Sequence, residues 1–592
     1  MKKKKQGVLI ASALALLLIG LGTGLLRGRK AVSPEEIVFS VEAQGAAAQI
    51  SLWHNYYDNK EYLFLPAFCD ETTTARIENA GWREKSWDGQ TLRWRDTIGS
   101  GEHPLTDGEH RLQADGAEYT VVVMRSANVP ALFLTTASGS LGYIEAVKGN
   151  NEAGLYRMVN ADGSLRGDGQ VAKMKARGNS TFLEDKKPYQ ITLTERADLL
   201  ETGLLNKYIL LANRQDQSML RDRIVYDMAG DMGLAYSPVS IFVDLYINNA
   251  YRGTYQLSEK VDTLESGGGR VAIHMERGKA ETDFLVSLEY NDEERLEEAP
   301  YRFVTETGQN VLIDRPGEPD EEQEVYIAGA FRDAERAIRA GSIADAGIDI
   351  TSFARKYLVE EISKNLDAMY TSQYFYECDG TLYAGPVWDY DKSLGNPVIE
   401  HNRPVNFQEP RGIFAATKQK NASWWYDLYQ IPAFRACVER EYEQAAVPAI
   451  QAMLDGGIDR YREEIWASAA MDYIRWDTFE DFKHGEPLEF AASYEAEIDI
   501  IRDFLEDRML FCSDIWLEGR RYDRILCDPG PGTMYVMQID AVEGRKLREP
   551  RDPKREGWRF DHWIRKDTGE VYDFSQVYDG VPFTLQAVYV EE

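Results

Sequence analysis

The chain has 592 residues, with 67 Lys and Arg against 98 Asp and Glu, a formal net charge of −31 and 44% hydrophobic residues. That length predicts about three or four domains, and the apolar fraction is ample for their cores. The charge excludes nucleic acid, or an anionic membrane surface, as the partner of the bulk of the chain.

Lys2 to Lys5 precede an uncharged apolar run at residues 7–26, and Arg27, Arg29 and Lys30 flank its far end. A run of about 20 apolar residues is long enough to cross a bilayer. No Ala-x-Ala site clearly follows it and no lipobox Cys is present. The expectation is therefore an uncleaved signal anchor over residues 1–30, with a cleaved signal peptide as the alternative and the large C-terminal part outside the cytoplasm. The five cysteines, Cys69, Cys378, Cys437, Cys512 and Cys527, are odd in number and show no Cys-x-x-Cys spacing. They are expected to be buried free thiols rather than a zinc site or a disulfide scaffold, Cys512 with Cys527 being the one pair that would bridge.

Residues 31–125 alternate apolar and polar positions in short runs separated by Gly-containing turns, for instance at 37–41 and 119–123, which predicts a small β-sandwich. Its Trp53, Trp82, Trp87 and Trp94 are read as core, although they would also serve to line a binding face. A second β-rich region begins near Pro130. There Arg177-Gly178-Asn179-Ser180-Thr181 and the basic Lys186-Lys187-Pro188-Tyr189 join two strands. Backbone N–H groups, hydroxyls and cations in one turn suit dispersed negative charge such as phosphate, and an ordinary hairpin with solvated lysines fits the same spacing. A helix follows, with Asp216 or Ser218 as N-cap and Gly233 as its stop, and then a hairpin through Asn248-Asn249 whose second strand ends at Glu259. Residues 291–298 and 317–324 are acidic and read as surface loops.

Helical spacing predominates over residues 325–361 and again over 424–517. Between them, residues 357–396 read as a helix, a strand at 373–376, a Cys-Asp-Gly turn, and a second strand ending in Trp388-Asp389-Tyr390-Asp391. Asp367 and Asp389 are 22 positions apart, and a hairpin between them would return both to one rim. Helices after strands suit a two-lobed α+β enzyme with a cleft. Residues 528–592 form a further small β module.

Arg177 to Thr181, Lys186 to Tyr189, Leu211-Ala212-Asn213 with Asp216 and Arg221, Tyr246 to Asn248 with Tyr251, Gly253, Tyr255 and Glu259, and Gly385 to Asp391 with Gly395-Asn396 together resemble the spore-coat CotH family of atypical protein kinases. The likeness runs from about residue 130 to 396 and on through the helices to 517. The C-terminal module, with Gly557-Trp558-Arg559-Phe560 and Trp563, resembles a single Listeria-Bacteroides repeat, although no Gly-Gly turn follows its first strand. The first resemblance implies a two-lobed protein-kinase-like domain over residues 126–520, with the β domain before it and the repeat-like module after it.

It also implies transfer of the γ-phosphoryl of ATP to a Ser or Thr hydroxyl of a protein, with Mg or Mn. On that reading Arg177, Gly178, Asn179 and Ser180 face the phosphates, Lys187 or Lys186 lies over them, and Glu259 stands at the lobe junction near the nucleotide. Asp367 would take the hydroxyl proton, Asp389 leads as metal ligand with Asp391 as its alternate, and Gln373 stands where kinases often carry a metal-binding Asn. The implied protein is a single-pass, extracytoplasmic kinase of the bacterial cell membrane acting on coat or surface proteins. The competing expectation is a catalytically inactive surface scaffold whose β modules bind cell wall, coat protein or glycan.

Overall fold

The computed structural model describes residues 33–591 apart from 79–84, 94–95, 100–102, 104, 115–116, 277, 292–295, 298, 397, 401–402, 406–408, 418–423, 477–492, 532–536 and 551. The apolar run at 7–26, Trp82, Trp94 and part of the 291–298 stretch lie outside the described residues. Among the described residues no helix is long and apolar enough to cross a membrane. The chain divides into two compact units, one comprising the chain up to Phe133 with Val159–Leu165 and Leu245–Arg252, the other the remainder.

In the first unit, Val38–Ala43 pairs with Ala46–Ser51 and Thr74–Glu78 in a three-stranded sheet, while Lys60–Leu65 runs parallel to Ala117–Arg125 inside a six-stranded one. Phe39 from the first sheet meets Trp87 from the second edge to face, ring centroids 6.1 Å apart, and both side chains are fully buried. Alternating burial along Val38–Ala43 gives that sheet one core face, as the sequence pattern predicts. Trp87 is thus a core residue.

A closed barrel, most of whose strand residues fall in the second unit, has the strand order Ala131–Thr136, Glu152–Val159, Leu165–Ala176, Tyr189–Ala197, Leu205–Leu211, Ala250–Glu259, Ser240–Ile247. The expected Asn248-Asn249 turn is there, both residues at positive φ (51° and 69°), which matches the twist of a two-residue hairpin. The helix before it differs from expectation: it spans Arg221–Asp231, and neither Asp216 nor Ser218 is its N-cap. Asp216 instead organises the preceding turn, its carboxylate accepting from the Ser218 and Arg221 backbone N–H groups at 3.0 and 2.9 Å. The apolar face of Ile224, Val225, Met228 and Ala229 is buried as predicted.

A five-stranded sheet follows in the order Arg302–Val304, Asn310–Arg315, Phe284–Glu289, Tyr374–Cys378, Thr381–Ala384. Helices Glu321–Arg339, which opens with a capping box from Asp320 and Gln323, and Ile350–Ser363, capped by Asp349, lie between these strands in sequence. The hairpin within residues 357–396 forms around Asp379 and Gly380, but its second strand ends at Ala384. Residues 388–391 therefore stand in an irregular segment and not at a strand end. Helices Pro432–Glu441, Ile458–Trp476 and Tyr494–Trp516 complete the mixed α+β architecture.

The C-terminal module is a four-stranded sheet in the order Met537–Val542, Tyr522–Asp528, Thr584–Glu591, Trp558–Arg565, closed over Ile525, Cys527, Trp563 and Leu585. Its inner strand, Tyr522–Asp528, lies almost wholly before the expected boundary at 528, because it leaves the Tyr494–Trp516 helix after a short break at Gly519. The Asp514 carboxylate of that helix holds the module through Arg545 at 2.6 Å and Arg520 at 3.3 Å. All five cysteines are free, Cys512 and Cys527 included.

Candidate functional site

A cavity of about 870 Å³ opens in the second unit between the barrel and the five-stranded sheet. The barrel supplies residues 177–181, Pro188 and 211–215; the helix starting at Arg221 supplies Asp222; the sheet supplies 287–291 and Asn310; and the segment after Ile350–Ser363 supplies Leu366, Asp367, 370–372, Tyr374, Trp388, Asp389, Asp391 and Lys392. Residues as far apart as Arg177 and Lys392 thus face one space.

Arg177 ends a barrel strand, its backbone N–H donating to Pro188 O at 3.0 Å. Its guanidinium lies over the Trp388 ring, 5.6 Å from the centroid, and Trp388 stacks in turn on Tyr226, centroids 6.0 Å apart. Burial pulls the Arg177 pKa below the usual arginine range, against attraction from Tyr374, Asp389 and Tyr226. Among the described residues it makes no ion pair. A partly buried cation stacked on an aromatic ring and without an ion pair among the described residues is prepared for an anionic ligand. Gly178 follows at φ 100°, where a Cβ would come 2.1 Å from Thr181 Oγ1, so only glycine lets the turn close. Asn179 and Ser180 are exposed at the rim, and Asn179 Oδ1 accepts from Lys148 Nζ at 2.9 Å.

Carboxylates gather in the same cavity. Asp389 has φ 70°, a left-handed backbone uncommon for a residue other than glycine, and its Oδ2 accepts from Ser372 Oγ at 2.9 Å. Asp391 is pushed up to about 7, by burial first and then by repulsion from Asp389. Asp222 is raised well above the carboxylate range by burial and by Asp391 and Asp389, and its Oδ1 accepts from the Tyr390 N–H at 2.6 Å. Asp367 sits in the short turn Leu366–Met369, where Asn365 Oδ1 accepts from its N–H at 3.1 Å and its own Oδ1 accepts from the Tyr290 hydroxyl at 2.7 Å. Mutual repulsion among half-desolvated carboxylates is relieved by a cation.

Buried polar groups fix this wall. Arg221, fully buried, meets Asp216 at 2.5 Å and Glu497 at 2.6 Å and donates to Ser393 O at 2.9 Å. Asn396 Nδ2 donates to both Gln215 O (2.8 Å) and Asp391 O (2.7 Å). Beneath, the Tyr390 hydroxyl lies between Lys356, at 2.9 Å, and Glu360.

The structure places Arg177, Gly178, Asn179, Ser180, Asp367, Asp389 and Asp391 together and four other sequence candidates elsewhere. Lys186 is buried in an ion pair with Asp472 at 2.6 Å and donates to Thr254 O at 2.7 Å. Lys187 folds back on its own turn, donating to Phe182 O and Glu184 O at 2.6 and 2.8 Å. Glu259 is held by Arg270 and by the Val239 N–H, both at 2.8 Å. Gln373 is fully buried and one residue out of phase with Tyr374, which lines the cavity; its amide has no hydrogen-bond partner among the described residues. Strand alternation turns Gln373 from the cavity, a local backbone turn holds Lys187, and ion pairs with Asp472 and Arg270 hold Lys186 and Glu259.

Sequence reasoning passed over Asp222, Arg214, Tyr290, Trp388 and Tyr226. Asp222 has a signal, a carboxylate in a helix's first turn beside Arg221, and Trp388 stands in the motif at 385–391; Arg214, Tyr290 and Tyr226 become visible only through packing. Among the described residues no three His, Cys, Asp or Glu side chains close a metal site. Mg²⁺ bound by one or two carboxylates and completed by substrate phosphates and water needs no such closed set, so Asp389 and Asp391 fit it.

The fold and cavity define a mixed α+β protein with an arginine stacked on Trp388 in the same cavity as a carboxylate cluster. A family model described as CotH kinase protein matches residues 174–512, more than half of the chain, and the chain belongs to that family. That membership suggests a kinase-like function with ATP and a divalent metal. No curated protein matches the chain.

Proposed function

We propose that the protein is an atypical protein kinase that transfers the γ-phosphoryl of ATP to a Ser or Thr hydroxyl of a coat or surface protein. The observation that carries this reading is Arg177, partly buried and without an ion pair among the described residues, in the same cavity as Asp367, Asp389 and Asp391. Arg177 and the Gly178 turn bind and orient the phosphates. Asp389 and Asp391 would hold Mg²⁺ or Mn²⁺, which when bound neutralises charge on the phosphates. Asp367 accepts the proton of the acceptor hydroxyl. The barrel is then the nucleotide-side lobe of a kinase-like pair, with the sheet and helices as the other. The apolar run at 7–26 supports tethering in a bacterial membrane with the kinase domain extracytoplasmic.

The burial of Gln373 favours a second reading, an inactive scaffold that has lost the metal-binding amide. Thermal unfolding of the full-length protein with and without Mg-ATP, together with phosphate transfer to a model protein, separates the two. The kinase reading expects stabilisation by nucleotide and transfer, both lost in Asp389→Ala; no response to nucleotide with either Mg or Mn rejects it.

A further inference from the structure

We propose that Tyr290 is a phosphate acceptor within its own chain, its hydroxyl standing where the hydroxyl of a protein substrate would stand. This rests on the kinase reading above and on Asp367 as its base. Tyr290 follows the strand Phe284–Glu289 directly and lines the cavity. Its hydroxyl donates to Asp367 Oδ1 at 2.7 Å, within the reach at which a general base takes a proton. Its ring stacks on Tyr370, centroids 5.8 Å apart and planes at 22°. Its backbone is held by Glu289 Oε1, which accepts from the Tyr290 N–H at 2.8 Å and from Thr371 Oγ1 at 2.8 Å.

The neighbouring cavity hydroxyls are committed elsewhere: Thr371 donates to Glu289, and Ser372 donates to Asp389. Tyr290 donates to the proposed base itself. A phenol also yields its proton more readily than an aliphatic hydroxyl, which suits a carboxylate base.

In the step, Tyr290 Oη forms a bond to the γ-phosphorus of ATP. The bond from that phosphorus to the β,γ-bridging oxygen breaks, its electron pair leaves with ADP, and the phenolic proton passes to Asp367. The product phosphotyrosine lies beside Asp367 and Glu289 and occupies the acceptor position, so the reaction stops at one phosphate per chain.

The test is incubation of the full-length protein with Mg-ATP and no added acceptor, followed by intact-mass measurement and peptide mapping. The expected result is a single phosphate, located on Tyr290 and absent from Asp367→Asn. Tyr290→Phe, which keeps the ring and its stacking, is expected to lose at least tenfold of the self-label while still being stabilised by Mg-ATP. Wild type that phosphorylates an added protein but leaves Tyr290 unmodified, or labels itself only at other residues, overturns this inference and leaves the kinase reading standing. Wild type that binds Mg-ATP and transfers phosphate to nothing brings down both.

Discussion

Replacing Arg177 by Met tests whether the cavity is built for an anion, because the site predicts opposite effects on binding and on stability. The guanidinium is desolvated and makes no ion pair among the described residues, so the apo protein gains little from its charge. Met retains an apolar stem against Trp388, and the unfolding free energy is expected to stay the same or rise. Nucleotide binding should move the other way. A unit charge 4 Å from a phosphate oxygen at an effective dielectric of 20 gives an upper bound of about 4 kcal/mol. A charge-assisted hydrogen bond nets about 1.5–3 kcal/mol. At about 1.4 kcal/mol per decade, that is a roughly 10- to 100-fold loss of Mg-ATP affinity. Calorimetric titration with Mg-ATP and urea unfolding of the same samples provide the two readouts. Unchanged affinity would refute the phosphate assignment, and a large loss of stability would show that Arg177 is a structural residue.

Asp367→Asn is expected to keep nucleotide binding and to lower phosphate transfer by about 10²- to 10⁴-fold, measured by kcat on a model protein. Asp391 has a folded pKa of about 7, above its unfolded value, so between about pH 4 and pH 7 the folded state holds the extra proton. Its contribution to stability is therefore present at low pH and lost as pH rises through about 7; Asp391→Asn should remove that slope, and Mg-ATP affinity of the wild type should rise over the same window. Arg221→Ala leaves Asp216 and Glu497 buried without their shared cation, and urea unfolding should show a loss of about 3–5 kcal/mol. Gly178→Ala is expected to weaken nucleotide binding and also to lower the urea-unfolding free energy, because a Cβ at φ 100° is strained and meets Thr181 Oγ1 at 2.1 Å.

The residues of the cavity were partly legible. Arg177, Gly178, Asp389 and Asp391 lie in compact local motifs whose spacing marks a turn, and the structure puts them on the cavity wall. Lys186 and Lys187 stand in an equally compact motif, but charge in a sequence carries no direction: one lysine meets Asp472, 286 positions later, and the other bonds its own turn. Tyr290 had no signal at all, since its hydroxyl is given meaning only by Asp367, 77 positions away.

By itself the sequence determined the local periodicities and the acidic balance: the alternation that makes Val38–Ala43 a half-buried strand, the Asn248-Asn249 hairpin, and the apolar face of the Arg221–Asp231 helix. These follow from forces acting within a few residues, and a one-dimensional pattern records them. Only the tertiary structure decided which of many carboxylates share one cavity, that Arg177 joins them there, and that Tyr522–Asp528 belongs inside the last sheet. Those outcomes depend on contacts between distant segments, where the dielectric and the available partners are set by the fold and by nothing nearer in the chain.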